Sequence, residues 1–435
     1  MIQRRGSGNE STIDAGRLLG ADGCALCRER DDAAETWLRW FEIEHHSDPG
    51  TLTALGSSSG FCPAHTRRLV ALDKPAVLRR PWEFVLRAAI DRVERLIATG
   101  RAPALSPCPL CAGADARSRA AADTLIAMLA DPHVGEVLKE RHGLCHPHLR
   151  SLLSRLSPAQ AAVAADVVRA ELDQDAVTTV AGIDPDAVPR SRLYPLVADH
   201  HEPADRPPAQ RLADDLNAGS CPCCRQIGRA ENTYLTWLVA EDEPGERDLR
   251  LCPRHLHDLV QRAGEESRAA RARRAAVQAQ VEEVAASARP LSGQRRRRRP
   301  AHDDVTDRYR RAVANLDGDR TCRVCRSAAS AADRCLALIR ACADDRHVQA
   351  ALEGGHGLCL RHGERLTGAR GAERFGRRLL TRLRQSAWEL NEDTLKQAWA
   401  LRHEPVGREA TSWRRVPTIV DGRAYLGLSE DDLWR

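Results

Sequence analysis

Lysine is almost missing from this chain: only Lys74, Lys139 and Lys396 occur, although lysine and arginine together number 66 of 435 residues. The basic side is therefore arginine, whose planar fork suits phosphate and carboxylate. Arginine-rich codon usage produces the same bias, and the net charge of +5 is mild. Aromatics make up only 4% and methionine occurs twice. Few aromatics count against binding modes that stack bases on side chains. They also leave Leu, Ala and Val, a helix-favouring set, to fill the core. No run approaches 18 apolar residues, so no membrane span is expected. The opening stretch, "MIQRRGSGNESTIDAGRLLG", has no apolar segment of the kind that directs export. The expected compartment is the cytoplasm. Catalytic signatures are scarce as well: there is no HExxH, no P-loop and no GxGxxG after a strand. "GSSSG" (56–60) satisfies GxSxG around Ser58 but sits in a polar loop before a cysteine, so it reads as a flexible turn. A non-enzymatic protein is expected.

What the chain has in abundance is cysteine, 15 in all. Without an export signal a disulfide framework is not expected, and the spacing points elsewhere. Cys24-x-x-Cys27 is followed by Cys62-x-x-His65, Cys108-x-x-Cys111 by Cys145-x-x-His148, Cys221-x-x-Cys224 by Cys252-x-x-His255, and Cys322-x-x-Cys325 by Cys359-x-x-His362. Chance would supply fewer than about one CxxC at this cysteine frequency. Thiols that merely pack would explain neither the pairing nor the period.

Three thiolates and one imidazole make a closed tetrahedral zinc site. Taken in sequence order, each CxxC and the CxxH after it form one Cys3His site, giving about four zinc ions per chain. Iron–sulfur is the runner-up metal; covalent haem is not expected, because CxxCH is lacking. In "CPCC", the x-x spacing selects Cys221 and Cys224 over Cys223, and the repeat register selects His148 and His255 over His146 and His257. Cys335 and Cys342, seven apart, read as core. His45-His46 and His200-His201 read as solvated.

The four units are of two kinds. Cys24 to Trp40 matches Cys221 to Trp237 at an offset of 197, and Cys108 to His148 matches Cys322 to His362 at 214 without gaps. The order is A-B-A-B, one two-site half copied. The fold expected is mostly α: four zinc-clamped helical units arranged as two duplicated halves. Zinc unit A1 with its following helix spans 1–100, B1 101–181, a Pro/Asp-rich linker 182–215, A2 with its helix 216–288, an Arg-rich linker 289–303, B2 304–402 and a tail 403–435. Apolar residues at helical spacing mark long helices at 82–98 and about 265–288. In the tail, "VPTIVDGRAYLGL" is expected as a small hairpin around Asp421-Gly422. His133 and His347, and His142 and His356, recur in the B units and invite a role beside the metal, hydrogen-bonding a ligand thiolate.

The unit C-P-[apolar]-C … G-[FL]-C-x-x-H resembles an uncharacterised bacterial family, a domain of unknown function carrying one such unit. The matching residues are "CPLC" (108–111) with "GLCHPH" (143–148), and "GFCPAH" (60–65); "CALC" (24–27) and "CRVC" (322–325) lack the proline. The resemblance covers the four units and implies a metal-binding helical unit with nothing catalytic. The units are also similar to treble-clef fingers, in which a knuckle and a helix N-terminus share a zinc.

The leading expectation is a zinc-stabilised scaffold that binds another protein. A nucleic-acid-binding zinc protein is the alternative, with the run Arg295–Arg299 as its handle. A thiol-based redox or metal sensor using Cys223, Cys335 and Cys342 is the second alternative.

Overall fold

The computed structural model describes residues 15–172, 207–217, 220–240, 251–252, 255–256, 258–259, 262, 268–288, 303–317, 322–354, 357–368, 373–397, 403, 405 and 407–420. Among these residues there is no strand, and every regular element is helical. The first half contributes α1 (Ala15–Leu19), α2 (Ala25–Trp40, running on into a π-turn, Phe41–His45), α3 (Pro49–Ser58), α4 (Pro63–Ala71), α5 (Pro75–Thr99), α6 (Pro109–Met128), α7 (Pro132–Glu140), α8 (His146–Leu152) and α9 (Pro158–Leu172). The second half contributes α10 (Pro208–Asn217), α11 (Pro222–Ala240), α12 (Arg268–Ala288), α13 (Asp303–Asp317), α14 (Arg323–Ala341), α15 (Arg346–Gly354), α16 (Leu360–Thr367), α17 (Glu373–Gln397) and α18 (Ser412–Val420).

Proline marks many of these starts. Helices α3, α4, α5, α6, α7, α9, α10 and α11 all begin on one, where the fixed φ suits a helix and the missing N–H is not needed. Asp131 and Asp345 cap α7 and α15, their carboxylates accepting from the backbone N–H of His133 at 2.9 Å and His347 at 2.8 Å. Val134 and Val348 of the same motif are buried, whereas both histidine side chains are exposed. The repeated Asp-x-His-Val is thus a helix cap with an apolar anchor, and the expected metal-side role for His133 and His347 has no support. "GSSSG" is likewise no free turn: Gly56–Ser58 finish α3, and Ser59 (φ 54°) and Gly60 (φ 89°) turn the chain left-handed. Gly60 N–H then donates back to Leu55 O at 2.8 Å, and Ser58 Oγ bonds Gly60 O at 2.7 Å.

The chain forms two compact bodies, and each draws on both sequence halves. One comprises residues 1–33, 114–187 and 237–323; the other 34–113, 188–236 and 324–435. In the first, α9 lies against α12. Their buried faces are small, Ala161, Ala164, Ala165 and Val168 on one, Val277, Val281, Val284 and Ala285 on the other, which lets two helices approach closely. Tyr309 of α13 donates its hydroxyl to Leu153 O at 2.5 Å, and burial pushes that phenol up to about 12. Glu29, nearly sealed from solvent, takes Arg17 at 2.6 Å and Arg117 at 2.8 Å.

In the second body, α5 lies against α17. Gly376 permits the approach: a Cβ there would stand 2.6 Å from Thr367 Cγ2 and 2.9 Å from Ile97 Cγ1. Asp393, with no exposed surface, receives Arg79 Nε at 2.6 Å, and Arg92 pairs with Glu364. The scarce aromatics are concentrated here: Trp37 stacks on Phe41 at 5.1 Å, Phe41 meets Phe61 edge-on at 5.3 Å, and Phe61 meets Trp82 at 6.2 Å.

Two sequence expectations change. The stretch read as linker to residue 215 already contains α10 from Pro208, whose Leu212 and Leu216 join a core with Val348 and Ala351. The first arm of the expected hairpin, Val416–Val420, is helical and buried in α18; its remainder lies outside the described residues. A run of Val, Thr and Ile suits either state, and burial of a whole helical face decided this one. Of the two long helices expected, α12 lies within its expected bounds, and α5 ends one residue later than expected but begins at Pro75 rather than 82.

Removing Arg79 strands a sealed carboxylate. Arg79→Ala is expected to cost about 3–5 kcal/mol, read as a lower midpoint in chemical denaturation, whereas Arg87→Ala, on an exposed Glu83 pair, should cost under about 1 kcal/mol.

Candidate metal centres

Seven of the eight cysteine-led pairs open a helix given above, and His255 and Leu256 after Cys252 are helical as well. Cys62, Cys145 and Cys359 are N-caps in extended conformation, and the carbonyls of Cys24, Cys62, Cys108, Cys145, Cys221, Cys252 and Cys359 accept the first helical N–H, at 2.8–3.1 Å. The CxxC segments are therefore built like the CxxH segments, with ligands at the cap and three residues in, on one face of a first turn. No hairpin knuckle occurs among the described residues, so the likeness to treble-clef fingers ends at the shared helix N-terminus. Two N-termini aimed at one point favour anionic ligands there.

All sixteen expected ligands meet in four groups, but not in sequence order. Cys24 and Cys27 close with Cys145 and His148; Cys108 and Cys111 with Cys62 and His65; Cys221 and Cys224 with Cys359 and His362; Cys322 and Cys325 with Cys252 and His255. Each CxxC of an A unit thus takes the CxxH of its B unit, and the reverse. The reason lies in helix length. At 1.5 Å per residue, α2 with its π-turn carries the chain out roughly 30 Å, and α3, even running straight back, recovers only about half of that. Cys62 meets Cys108 and Cys111 rather than Cys24. The segment before Cys145 does reach it: Gly23 N–H donates to Arg141 O at 2.7 Å and Ala25 N–H to Gly143 O at 3.0 Å.

The spacing fits one ion per group. Bond lengths of about 2.3 Å to sulfur and 2.0–2.1 Å to nitrogen put tetrahedral ligands ~3.8 Å apart for S···S and ~3.6 Å for S···N. The observed Sγ···Sγ distances are 3.8 Å for Cys27–Cys145, 3.6 Å for Cys62–Cys111 and 3.8 Å for Cys224–Cys359. The histidines turn Nδ1 inward: His148 lies 3.3, 3.4 and 3.2 Å from Cys24, Cys27 and Cys145, and His255 lies 3.3 Å from Cys322. Sulfurs this far apart are not disulfide-bonded. Ligand atoms all within 4.8 Å of one another in each group leave no space for a multi-iron cluster with its own sulfides.

The electrostatics of these groups suit a cation. Cys108 is held well below the usual thiol range by hydrogen bonds from Cys111 and Cys62, whereas Cys111 is pushed well above it by the same two neighbours, Cys108 and Cys62. Cys221 is held down, against its burial, by Cys223, Cys224 and Cys359, while Cys224 is pushed up by Cys221 and Cys359. Burial works against charge on His65, yet the bonds to Cys108 and Cys62 outweigh it and push it up to about 9. A divalent ion would replace that proton and the thiol protons together.

The spare thiols are structural. Cys223 is fully buried beside Cys221, which with Cys335 pushes its thiol up, and Cys335 is buried in the same core with Cys342 at its edge. Sequence reasoning missed the arginines. Arg28 Nη2 donates to Leu18 O at 2.9 Å, and Arg225, its counterpart at the same offset, to Asp215 O at 2.7 Å; their repetition was the signal. Arg382 donates to Leu358 O at 3.4 Å; burial pushes it down to about 10 while Cys221 and Cys359 pull the other way. His142 sits left-handed (φ 53°), its buried Nδ1 without a hydrogen bond, and is no ligand. His356, His200, His201, His257 and Arg295–Arg299 lie outside the described residues.

These features define a class: a helical protein with four Cys3His groups at converging helix N-termini. Comparison with protein-family models, curated proteins and solved structures gives no match for this chain. No helix is long and apolar enough to cross a membrane, among the described residues.

The crosswise pairing is directly testable. A Cys24→Ser/Cys145→Ser variant is expected to lose one metal equivalent, because both changes strike one site. Cys24→Ser/Cys62→Ser should lose two. Equal losses measured by elemental analysis would contradict the pairing.

Proposed function

We propose that this chain is a non-enzymatic zinc protein whose four closed Cys3His centres hold a helical scaffold for binding another protein. The observation that carries the metal assignment is the gathering of three Sγ atoms and one histidine nitrogen within 4.8 Å of one another in each of four groups. Zinc suits three thiolates and an imidazole, and four protein ligands leave no position for a reacting water. When bound, the ion supplies charge neutralisation and cross-linking. The residues do the rest: the caps aim the thiolates and Arg382 offsets residual negative charge at one site. Such sites contribute about 10–16 kcal/mol in small zinc peptides, most of it folding free energy. The four units are read as copies of the single-unit bacterial domain that their motifs resemble, in a cytoplasmic protein where thiols stay reduced.

The arginines favour the scaffold over nucleic-acid binding. Arg68, Arg79, Arg92, Arg117, Arg155, Arg225, Arg365 and Arg414 are engaged by carboxylates of the chain itself. A redox sensor needs an accessible thiolate, and Cys223 is the reverse, a sealed thiol pushed up.

Protein purified without added metal is expected to carry about four zinc and no colour. Iron with visible absorbance would overturn the zinc assignment and favour redox chemistry. Loading metal-free protein should release protons, measured by pH-stat, and lowering the pH below about 5 should release the metal, because protons compete for the same thiolates. For the partner, binding partners captured on the zinc-loaded chain should persist at high salt. Binding to duplex or single-stranded nucleic acid with a steep salt dependence would instead support the alternative.

A further inference from the structure

We infer that the chain is a fused pseudo-dimer: its two halves, 15–172 and 207–420, are complementary partners that hold each other through two equivalent helix-on-helix interfaces. The metal groups join A to B only within a half, Cys24 to His148 in the first and Cys221 to His362 in the second. The long helices do the opposite. Each follows a CxxH, beginning ten to thirteen residues past His65, His148, His255 or His362. Helix α5, after A1, packs on α17, after B2, and α12, after A2, packs on α9, after B1. A-to-B in one direction and A-to-B in the other is the reciprocal pattern of a two-fold interface, in which one patch meets its counterpart on the second copy.

The polar contacts follow the same rule. Arg79 to Asp393 at 2.6 Å, Glu94 to Arg384 at 2.6 Å, Asp73 to Arg414 at 2.5 Å, and Tyr309 to Leu153 O at 2.5 Å all bridge the halves. Apolar surface does so too. Leu86 and Val93 of α5 and Leu383 and Leu390 of α17 are buried on this helix pair, where Gly376 of α17 also lies against Ile97 of α5. A half by itself would lose this cover. The partner that such a half fits is a second copy of its own two-site fold, here supplied in the same chain.

The test uses the full zinc-loaded chain with a protease recognition sequence inserted between residues 172 and 208. After cleavage, the two fragments are expected to co-elute at the size of the intact chain at low micromolar concentration, and to part only in denaturant. Fragments that elute separately, or precipitate once cut, would overturn the inference. Arg79→Glu should weaken association of the cut chain at least about tenfold, the scale of losing one buried charge pair, and Arg79→Glu/Asp393→Arg should recover part of it. Glu136→Arg, on an exposed pair within α7, should change nothing; an equal effect there would deny that α5 and α17 form the interface. Metal content of the associated pool is read separately, so loss of association and error in the zinc assignment give different results.

Discussion

Three sulfurs and an imidazole nitrogen within 4.8 Å of one another form a site that could hold a cation, and this structure brings such a set together four times. The like charges are forced together by helix starts: every ligand pair sits at a cap and first turn, where the backbone N–H groups still favour an anion. The burial that seals Cys24, Cys145, Cys221, Cys224 and Cys359 makes the unmet charge costlier still. The result is a fold whose short helices converge on four groups that could each hold a metal ion. A disulfide would not satisfy those distances.

Because each metal group fastens two helix N-termini, it organises chain direction more than it fills volume. Volume is supplied by the long helices after each CxxH, where Ala, Val and Leu stand in for the missing aromatics. The two kinds of interaction divide the work. Metal groups tie A to B inside a half, and apolar helix faces with a few sealed ion pairs tie one half to the other. That division explains why the compact bodies cut across the order of the sequence: each takes a metal group from both halves and the helix pair that joins them.

Arginine has a related part in this economy. With almost no lysine to place, the chain uses guanidinium forks to reach carbonyls and carboxylates at helix ends. Arg28 and Arg225 do so at equivalent positions in the two A units, and Arg17 and Arg117 share the sealed Glu29. A planar fork satisfies several acceptors at once, which suits a protein made of many short helices with many exposed ends.

The sixteen cysteines and histidines that gather into four groups, and the helical class, were legible in the sequence, because CxxC and CxxH spacing is a local property of one helical turn. The capping role of Asp131 and Asp345 was visible only as a repeated histidine beside them, since a motif read by eye does not say which of its members does the work. The α10 helix and the helical Val416–Val420 were missed where proline-rich or β-branched composition argued against burial that tertiary packing then supplied. Which CxxC closes with which CxxH was beyond sequence order altogether. Spacing determines that two ligands share a face, but partners some 120–140 residues apart, such as Cys27 with Cys145 and Cys221 with His362, are chosen by how far a long helix carries the chain and how little a short one brings it back.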